Sequence, residues 1–280
     1  STTFKATPKA HVREGFAFSN NTVVGAYKND GTLKDNAKVL YINNDNKDTI
    51  SASIKTGSSS TTNAIGVQSI ISALGKGYET SPYVLRFLGN ITDLANMDEF
   101  GGDILIDLGS GKYSKGLTIE GIGCDTTFNG FGIRIKNSNN VEIRNIGFMN
   151  CDSDEGDEVS LQQNNNYVWV HNCDFFYGLA GSDADQAKGD GQLDCKKSNY
   201  AHYLYDERIG LPKEYGCNNM SAGSLIETSD NYYVVGELAT AYINGVHSHG
   251  IGTSIKHFAC NNCETDRMVI NSVVDERALR

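Results

Sequence analysis

Two aspartates four residues apart are the side chains best placed to do chemistry in this sequence. Asp190 and Asp194 enclose Gly-Gln-Leu at the end of a long polar stretch. In an extended strand, residues four apart point to the same face, so the two carboxylates should project together. Like charges on one face repel each other, and Ca²⁺ is an ion that collects about six to eight oxygen ligands in irregular geometry. The pair therefore predicts a calcium site.

A second acidic run could supply further oxygen ligands. The segment CDSDEGDEV contains Glu155 and Asp157 shortly before the residues that lead to Val168. If the chain forms stacked coils, a carboxylate one coil below can join the pair above it. The run lacks the twelve-residue ligand pattern of an EF-hand. A solvated turn is the simpler interpretation of any single acidic run, and the convergence of carboxylates from adjacent coils is what favours calcium.

The elements that must position these carboxylates repeat along the chain. Alternating apolar residues followed by Gly or Asn recur in LTIEGIG (117–123), VEIRNIGF (141–148) and VWVHNCDFF (168–176). Equivalent positions are 24 residues apart from Ile119 to Ile143 and 27 apart from Ile143 to Val170. Such a period, built from short strands, predicts an all-β solenoid whose coils bury their apolar faces by stacking. A leucine-rich repeat lacks support because its leucine consensus is missing, and a β-sandwich would not show this longer self-similarity.

One segment has the periodicity of a helix. In GVQSIISALG, residues 66–75, Val67, Ile70, Ile71 and Leu74 fall on one helical face, and Gly75 is placed to end the helix. We expect this helix to cap one open end of the apolar core, where it would protect exposed sheet edges. Residues 1–60 then form an N-terminal extension and cap region, and coils run from about residue 83 to 280. The whole chain, 1–280, is predicted to be one domain.

Composition excludes some partners. The formal net charge is −10 and the sequence pI is about 5.0, so the chain has no basic cluster to neutralise nucleic-acid phosphates. No apolar stretch reaches the length needed to span a bilayer. Seven cysteines leave at least one thiol without an intramolecular partner. A zinc interpretation of Cys260 and Cys263, with histidines nearby, is weak because no second ligand pair has finger spacing.

The region from Gly116 to about Tyr200 resembles the main parallel β-helix family of bacterial pectate lyases. The segments that match are GLTIEGIG, GFGIRIKNSNNVEIRNIGF, YVWVHNCDF and GSDADQAKGDGQLDCKKSNY. One departure is His171-Asn172, where many members have Asp-His. The resemblance implies a right-handed parallel β-helix and a secreted, monomeric enzyme. It also implies calcium-dependent β-elimination of α-1,4-polygalacturonate to 4,5-unsaturated oligogalacturonides. Calcium would link an acidic protein to an acidic polymer.

The resemblance also implies roles for individual residues. Asp190, Asp194 and Asp157 match calcium ligands of the family, and Glu155 would assist them. Lys213 falls where the family places a catalytic-site lysine that binds the substrate carboxylate, and Lys188 is a further candidate for substrate contact. The resemblance weakens from about residue 201.

The catalytic base is the residue that the resemblance leaves open. The family uses an arginine, but no arginine occurs between Arg208 and Arg267. His247 falls near that position and is the candidate for the base, since a histidine can accept a proton near neutral pH. A structural or solvated histidine is the simpler interpretation.

Two other functions remain open at this point. A polygalacturonase-like hydrolase also uses a β-helix, and SHGIGTSI (248–255) faintly resembles a segment of that family. Hydrolysis needs an acid and a base carboxylate, and no adjacent Asp-Asp pair is present in the expected coil. A pectin-binding β-helix protein without catalysis is favoured by the missing arginine.

Overall fold

Short parallel strands dominate the part of the chain that the structure describes. The computed structural model describes residues 13–97, 101–176 and 193–204, with short stretches at 240–241, 243–245 and 247–248. The β-strands are β1 Lys38–Ile42, β2 Ser51–Lys55, β3 Thr61–Ile65, β4 Tyr83–Ile91, β5 Ile104–Asp107, β6 Leu117–Asn129, β7 Ile133–Lys136, β8 Asn139–Arg144, β9 Gly147–Met149, β10 Val159–Gln163, β11 Asn165–His171, β12 Asp174–Phe176, β13 Leu193–Cys195 and β14 Ser198–Leu204. A 3-10 helix spans Phe16–Asn21, and helix α1 spans Val67–Leu74.

Most of the strands form two parallel sheets between which the chain alternates, and β2 and β3 form a separate antiparallel pair. The first sheet has the order β1-β4-β6-β8-β11-β14, with β9 pairing with β6 and β12. The second has the order β13-β10-β7-β5. Ile119, Ile143 and Val170 are register partners on β6, β8 and β11, so the predicted repeats stack directly. The prediction of stacked parallel coils is confirmed; the right-handed sense stays a prediction.

Apolar residues from every coil fill the space between the sheets. On the second sheet Ile104, Ile133, Val159 and Leu193 lie in one register column, and all are buried. Residues that alternate with them along the strands face away from this core. Aromatic residues stack from coil to coil as well, and the rings of Phe148 and Phe175 lie parallel, 5.3 Å apart. This stacking holds each coil at a fixed height relative to the next.

Helix α1 forms where the periodicity predicts it. Val67, Ile70, Ile71 and Leu74 are buried in the main core. The Gln68 side chain contacts β5, the edge strand of the second sheet: its amide nitrogen donates to the Leu105 carbonyl and its oxygen accepts from the Leu105 N–H, both at 2.9 Å. The helix thus satisfies backbone groups that an open sheet edge leaves unpaired. Its role as the cap of the core stays a prediction.

Contacts divide the chain into two compact units, Ser1–Glu227 and Thr228–Arg280. This division differs from the predicted single domain 1–280. In the second unit, residues 240–241, 243–245 and 247 are helical, whereas β-coils were predicted to continue to residue 280. Leu238, Tyr242 and Val246 recur every four residues, which is a helical period. These helical residues are not part of a β-coil, and the continuation of coils through the rest of this unit stays a prediction. No helix within the described residues is long and apolar enough to cross a membrane.

Candidate functional site

The second sheet presents a column of polar side chains on the face turned away from the core. Asp194 on β13 is the register partner of Ser160 on β10, and Ser160 is the partner of Arg134 on β7. Val159 and Leu161, which flank Ser160, belong to the apolar core, so alternation directs the column outward. Ser160 is fully buried, while the Asp194 side chain is 13% exposed.

One of the predicted calcium ligands pairs with an ammonium group, and the charges of two others act on it. Lys196 Nζ is 3.2 Å from Asp194 Oδ2. Burial alone would lower the pKa of Lys196, but the charges of Asp194, Asp157 and Glu155 raise it. Glu155 also lies near a second cation, with Oε1 at 4.0 Å from Arg134 Nη1. Asp194 thus pairs with Lys196, and Glu155 lies near Arg134; a calcium site formed with Asp157 stays a prediction.

A layer of buried acids lies beside this column. Glu158 and Asp103 are each 1% exposed and lie on the coils on either side of Gly132: Ile133 N–H donates to the Glu158 carbonyl and Gly132 N–H donates to Asp103 Oδ1, both at 2.9 Å. Burial raises the pKa of Glu158 to about 9 and that of Asp103 to about 6. The coils approach closely here: a Cβ added to Gly132 would lie 2.2 Å from the Asp157 carbonyl oxygen. We call Asp103, Asp157, Glu158, Ser160 and Asp194 the acidic edge.

The acidic edge has the right donor chemistry for calcium. It offers carboxylate and hydroxyl oxygens, the hard ligands that this ion prefers. Both oxygens of Glu158 and the hydroxyl of Ser160 are buried without a hydrogen-bond partner, so acceptors are available. Within the described residues no three His, Cys, Asp or Glu side chains already converge at metal-binding distance. Asp190, the fourth predicted ligand, lies outside the described residues, as do Lys188 and Lys213.

His247, the candidate base, belongs to the second unit. It is exposed and lies in the helical stretch described above. Its role stays a prediction.

Lys196 and Glu158 were missed by sequence reasoning. Lys196 stands two residues after Asp194 and therefore on the same strand face, a signal that could have been used. Glu158 had no such signal, because in the sequence it is one more acid in an acidic run.

A second cluster of buried charges lies on the first sheet, beneath the N-terminal segment. Arg86, Glu120, Arg144 and His171 are register partners on β4, β6, β8 and β11, and we call them the charge ladder. Arg86 Nε donates to Glu120 Oε1 at 2.5 Å, and Arg144 Nε donates to Glu120 Oε2 at 2.8 Å. Tyr27 of the N-terminal segment also donates to Glu120, at 2.8 Å.

Glu142 joins the ladder to the N-terminal segment. Its carboxylate is fully buried and accepts from Arg13 Nη1 at 2.7 Å and from the Thr118 hydroxyl at 2.9 Å. His171 Nε2 lies 3.1 Å from Glu142 Oε1, and its Nδ1 lies 2.6 Å from Asn172 Oδ1. The His171-Asn172 pair, a departure from the resembled family, therefore has a structural role in this network.

The pKa values in this network follow from its ion pairs. Burial alone would raise the pKa of Glu142, but Arg144, His171 and Arg13 outweigh it and hold the pKa well below its usual range. Burial lowers the pKa of His171, against the opposing effect of Glu142.

The coils and the acidic edge together define a parallel β-solenoid with a candidate cation site on one sheet. No family model matches the chain. Among solved structures, it is similar to the pectate lyase Bsp165PelA from Bacillus sp. N165 in complex with trigalacturonate, with 19% identity, a TM-score of 0.49, and coverage of 70% of this chain and 53% of that one. It is also similar to the thermostable pectate lyase PL 47, with 17% identity, a TM-score of 0.39, and coverage of 69% and 59%.

The curated proteins that match the chain in sequence are named as glycosidases, whereas the similar solved structures are pectate lyases. A stretch of 52 residues, 19% of this chain, is 50% identical to thermostable beta-glucosidase B of Acetivibrio thermocellus. A match of the same length is 48% identical to exo-alpha-(1->6)-L-arabinopyranosidase of Bifidobacterium longum. The chain spans 7% of the length of these two relatives.

Proposed function

We propose that the first unit is a calcium-dependent pectate lyase that cleaves α-1,4-polygalacturonate by β-elimination and gives 4,5-unsaturated products. The observation that carries the proposal is that Asp194 is the register partner of Ser160, whose hydroxyl is buried without a hydrogen-bond partner, while the charges of Asp157 and Glu155 act on the lysine that pairs with Asp194. The resemblance of residues 116–200 to the bacterial family supplies the substrate class. We propose further that the protein is secreted and acts as a monomer.

Each residue of the proposed site has a part in binding. Asp157, Asp190 and Asp194 would hold calcium, with Glu155 assisting. When bound, calcium would neutralise the substrate carboxylate and make the neighbouring C5 proton more acidic. Lys188 and Lys213 are proposed to bind substrate carboxylates. Lys196 neutralises part of the acidic edge through its contact with Asp194, which eases the approach of an anionic chain.

A galacturonan-binding protein without turnover is the second candidate. The observation that favours it is the lack of an arginine between Arg208 and Arg267, where the resembled family has its base. Binding needs the acidic edge and a cation, but it needs no group that removes a proton.

The glycosidase similarity suggests a different origin for the second unit. We infer that the matched stretch is Thr228–Arg280, because that unit has 53 residues and the match has 52. The inference also accounts for the loss of the pectate lyase resemblance from about residue 201 and for the helical residues 240–241, 243–245 and 247. A polygalacturonase-like activity loses its main support, since SHGIGTSI lies inside this unit.

Product analysis with the full chain tests the lyase proposal. We expect polygalacturonate to yield unsaturated ends that absorb in the near ultraviolet, and a chelator to abolish the signal. Asp194→Asn should lower kcat/KM at least about 100-fold, because Lewis-acid stabilisation is worth several kcal/mol and each ~1.4 kcal/mol is a factor of ten.

Asp35→Asn, at an exposed aspartate of the N-terminal segment, is the matched control and should retain full activity. Reducing ends without ultraviolet absorbance would indicate hydrolysis, and binding without either product would indicate the second candidate.

His247→Ala tests the assignment of the base. If the second unit has a separate origin, the substitution should leave kcat and its pH profile unchanged within about twofold, as is usual for an exposed residue outside an active site. Loss of activity of about 100-fold or more, with loss of the limb of the pH profile near the histidine pKa, would instead identify His247 as the base and contradict the assignment of the second unit.

A further inference from the structure

Three buried oxygen atoms without partners lie close together at the start of β10. They are the two carboxyl oxygens of Glu158 and the hydroxyl oxygen of Ser160. Glu158 is 1% exposed and Ser160 is fully buried. Leaving a buried polar group without a hydrogen bond costs about 1–3 kcal/mol. Three such atoms within a three-residue segment need a physical explanation.

Their position points toward the proposed cation site. Alternation along β10 directs Ser160 away from the core, since Val159 and Leu161 belong to the apolar core, and Glu158 immediately precedes the strand. Ser160 is the register partner of Asp194 on β13, and the negative charge of Asp157 acts on Glu158. Glu158 therefore directly follows the proposed ligand Asp157 in the sequence. Ser160 lies one strand away from the proposed ligand Asp194.

We propose that Glu158 and Ser160 are further ligands of the divalent cation, at the inner end of the site formed by Asp157 and Asp194. The proposal rests on the calcium site proposed above and extends it by two residues. The Ser160 hydroxyl and the Glu158 carboxylate, once its proton is released, offer oxygen acceptors, and a hard cation satisfies several such acceptors at once. The Lys196 ammonium group pairs with Asp194 on the more exposed side of the site. The buried oxygens of Glu158 and Ser160 therefore remain for the cation.

Calcium binding by the full-length chain tests the proposal. Isothermal titration calorimetry and the calcium-induced rise in Tm are measured for the wild type, Glu158→Gln and Ser160→Ala. Both substitutions are nearly isosteric, so a change reports on the oxygen ligand rather than on packing. We expect Glu158→Gln to weaken calcium binding about tenfold or more and Ser160→Ala about threefold, because affinity follows the number and charge of the ligands. The calcium-induced rise in Tm should shrink in the same order.

Matched controls separate ligation from general effects of removing a buried group. Glu79 is a buried glutamate whose oxygens accept from Ser81 and Lys55 N–H groups, and Ser138 is a fully buried serine whose hydroxyl has partners. Glu79→Gln and Ser138→Ala should lower Tm without changing calcium affinity. Circular dichroism of each variant checks that it folds.

The outcomes distinguish this proposal from the proposed function. If the wild type binds calcium, Asp194→Asn abolishes binding, and both Glu158→Gln and Ser160→Ala bind like the wild type, then the inner ligands are ruled out while the lyase proposal stands. If the wild type binds no calcium at all, both proposals are overturned.

Discussion

The charge ladder and the acidic edge are both sets of buried ionisable residues on parallel sheets, but they differ in how their charges are compensated. On the ladder, arginine and glutamate alternate from coil to coil, and Glu120 accepts from Arg86, Arg144 and Tyr27. At the acidic edge, Glu158 is buried with no hydrogen-bond partner for either oxygen. The carboxylates of the ladder network are paired with cations, whereas both carboxyl oxygens of Glu158 lack a hydrogen-bond partner.

The difference separates a structural role from a binding role. A buried ion pair keeps its charge only when its partner stays in place, so the ladder is suited to fixing the N-terminal segment onto the first sheet. A buried acid without a partner is destabilising by itself. Such a cost is common at sites that bind something, because the bound group supplies the missing partner.

The largest effect is expected from breaking the ladder at Glu142. Glu142→Ala would remove the carboxylate paired with Arg13, one of the two carboxylates beside Arg144, and the partner of His171 Nε2. Removing one member of a buried ion pair costs about 3–5 kcal/mol. We expect a fall of that size in the free energy of unfolding, measured by urea denaturation followed by circular dichroism.

An exposed ion pair provides the control for this prediction. Lys28 and Asp35 form a 2.8 Å pair at the surface of the same N-terminal segment. Lys28→Ala should cause no measurable loss of stability, because exposed ion pairs contribute little. Equal losses for Glu142→Ala and Lys28→Ala would contradict the structural role assigned to the ladder.

The sequence gives more information about the coils and the acidic edge than about the charge ladder. The coil spacing and the apolar alternation predict the stacking of Ile119, Ile143 and Val170, and the spacing of Asp190 and Asp194 predicts an acidic site on one strand face. These signals are local or periodic. The ladder was not predicted, because Arg86 and Glu120 are 34 residues apart and only the final register pairs them.

Other features depended on tertiary structure in the same way. The contacts of the N-terminal segment with the first sheet, such as those of Arg13 and Tyr27, leave no periodic trace in the sequence. Glu158 differs from its acidic neighbours only in being buried, and burial depends on the packing of the coils. The helical residues near His247 carried a four-residue period that could have been recognised, but the resemblance to a β-helix family directed the interpretation elsewhere.

Replacing Glu158 is expected to stabilise the folded protein at alkaline pH. This effect is smaller than the loss of stability expected for Glu142→Ala, and it has the opposite sign. Its pKa is raised from 4.5 to about 9 by burial, so above pH 4.5 the folded chain holds a proton that the unfolded chain releases. Stability from this group is therefore complete below pH 4.5 and falls as pH rises toward 9, with a slope of up to about 1.4 kcal/mol per pH unit. The ladder has the opposite dependence, because the lowered pKa values of Glu142 and His171 make its contribution fall in acid.

Glu158→Gln, measured in chelator, isolates the alkaline part of this dependence. The neutral amide removes the titration, so the variant should equal the wild type near pH 4.5 and exceed it at pH 8.5 by at least about 1 kcal/mol, since one pKa unit corresponds to ~1.4 kcal/mol. Urea denaturation at the two pH values measures the difference. Glu79→Gln is the control: the pKa of Glu79 is lowered, through backbone hydrogen bonds and Lys38 that outweigh its burial, so this variant should gain nothing at high pH. Parallel pH curves for wild type and Glu158→Gln would show that Glu158 is ionised in the folded protein and has a counter-charge, which would remove the contrast between the two regions.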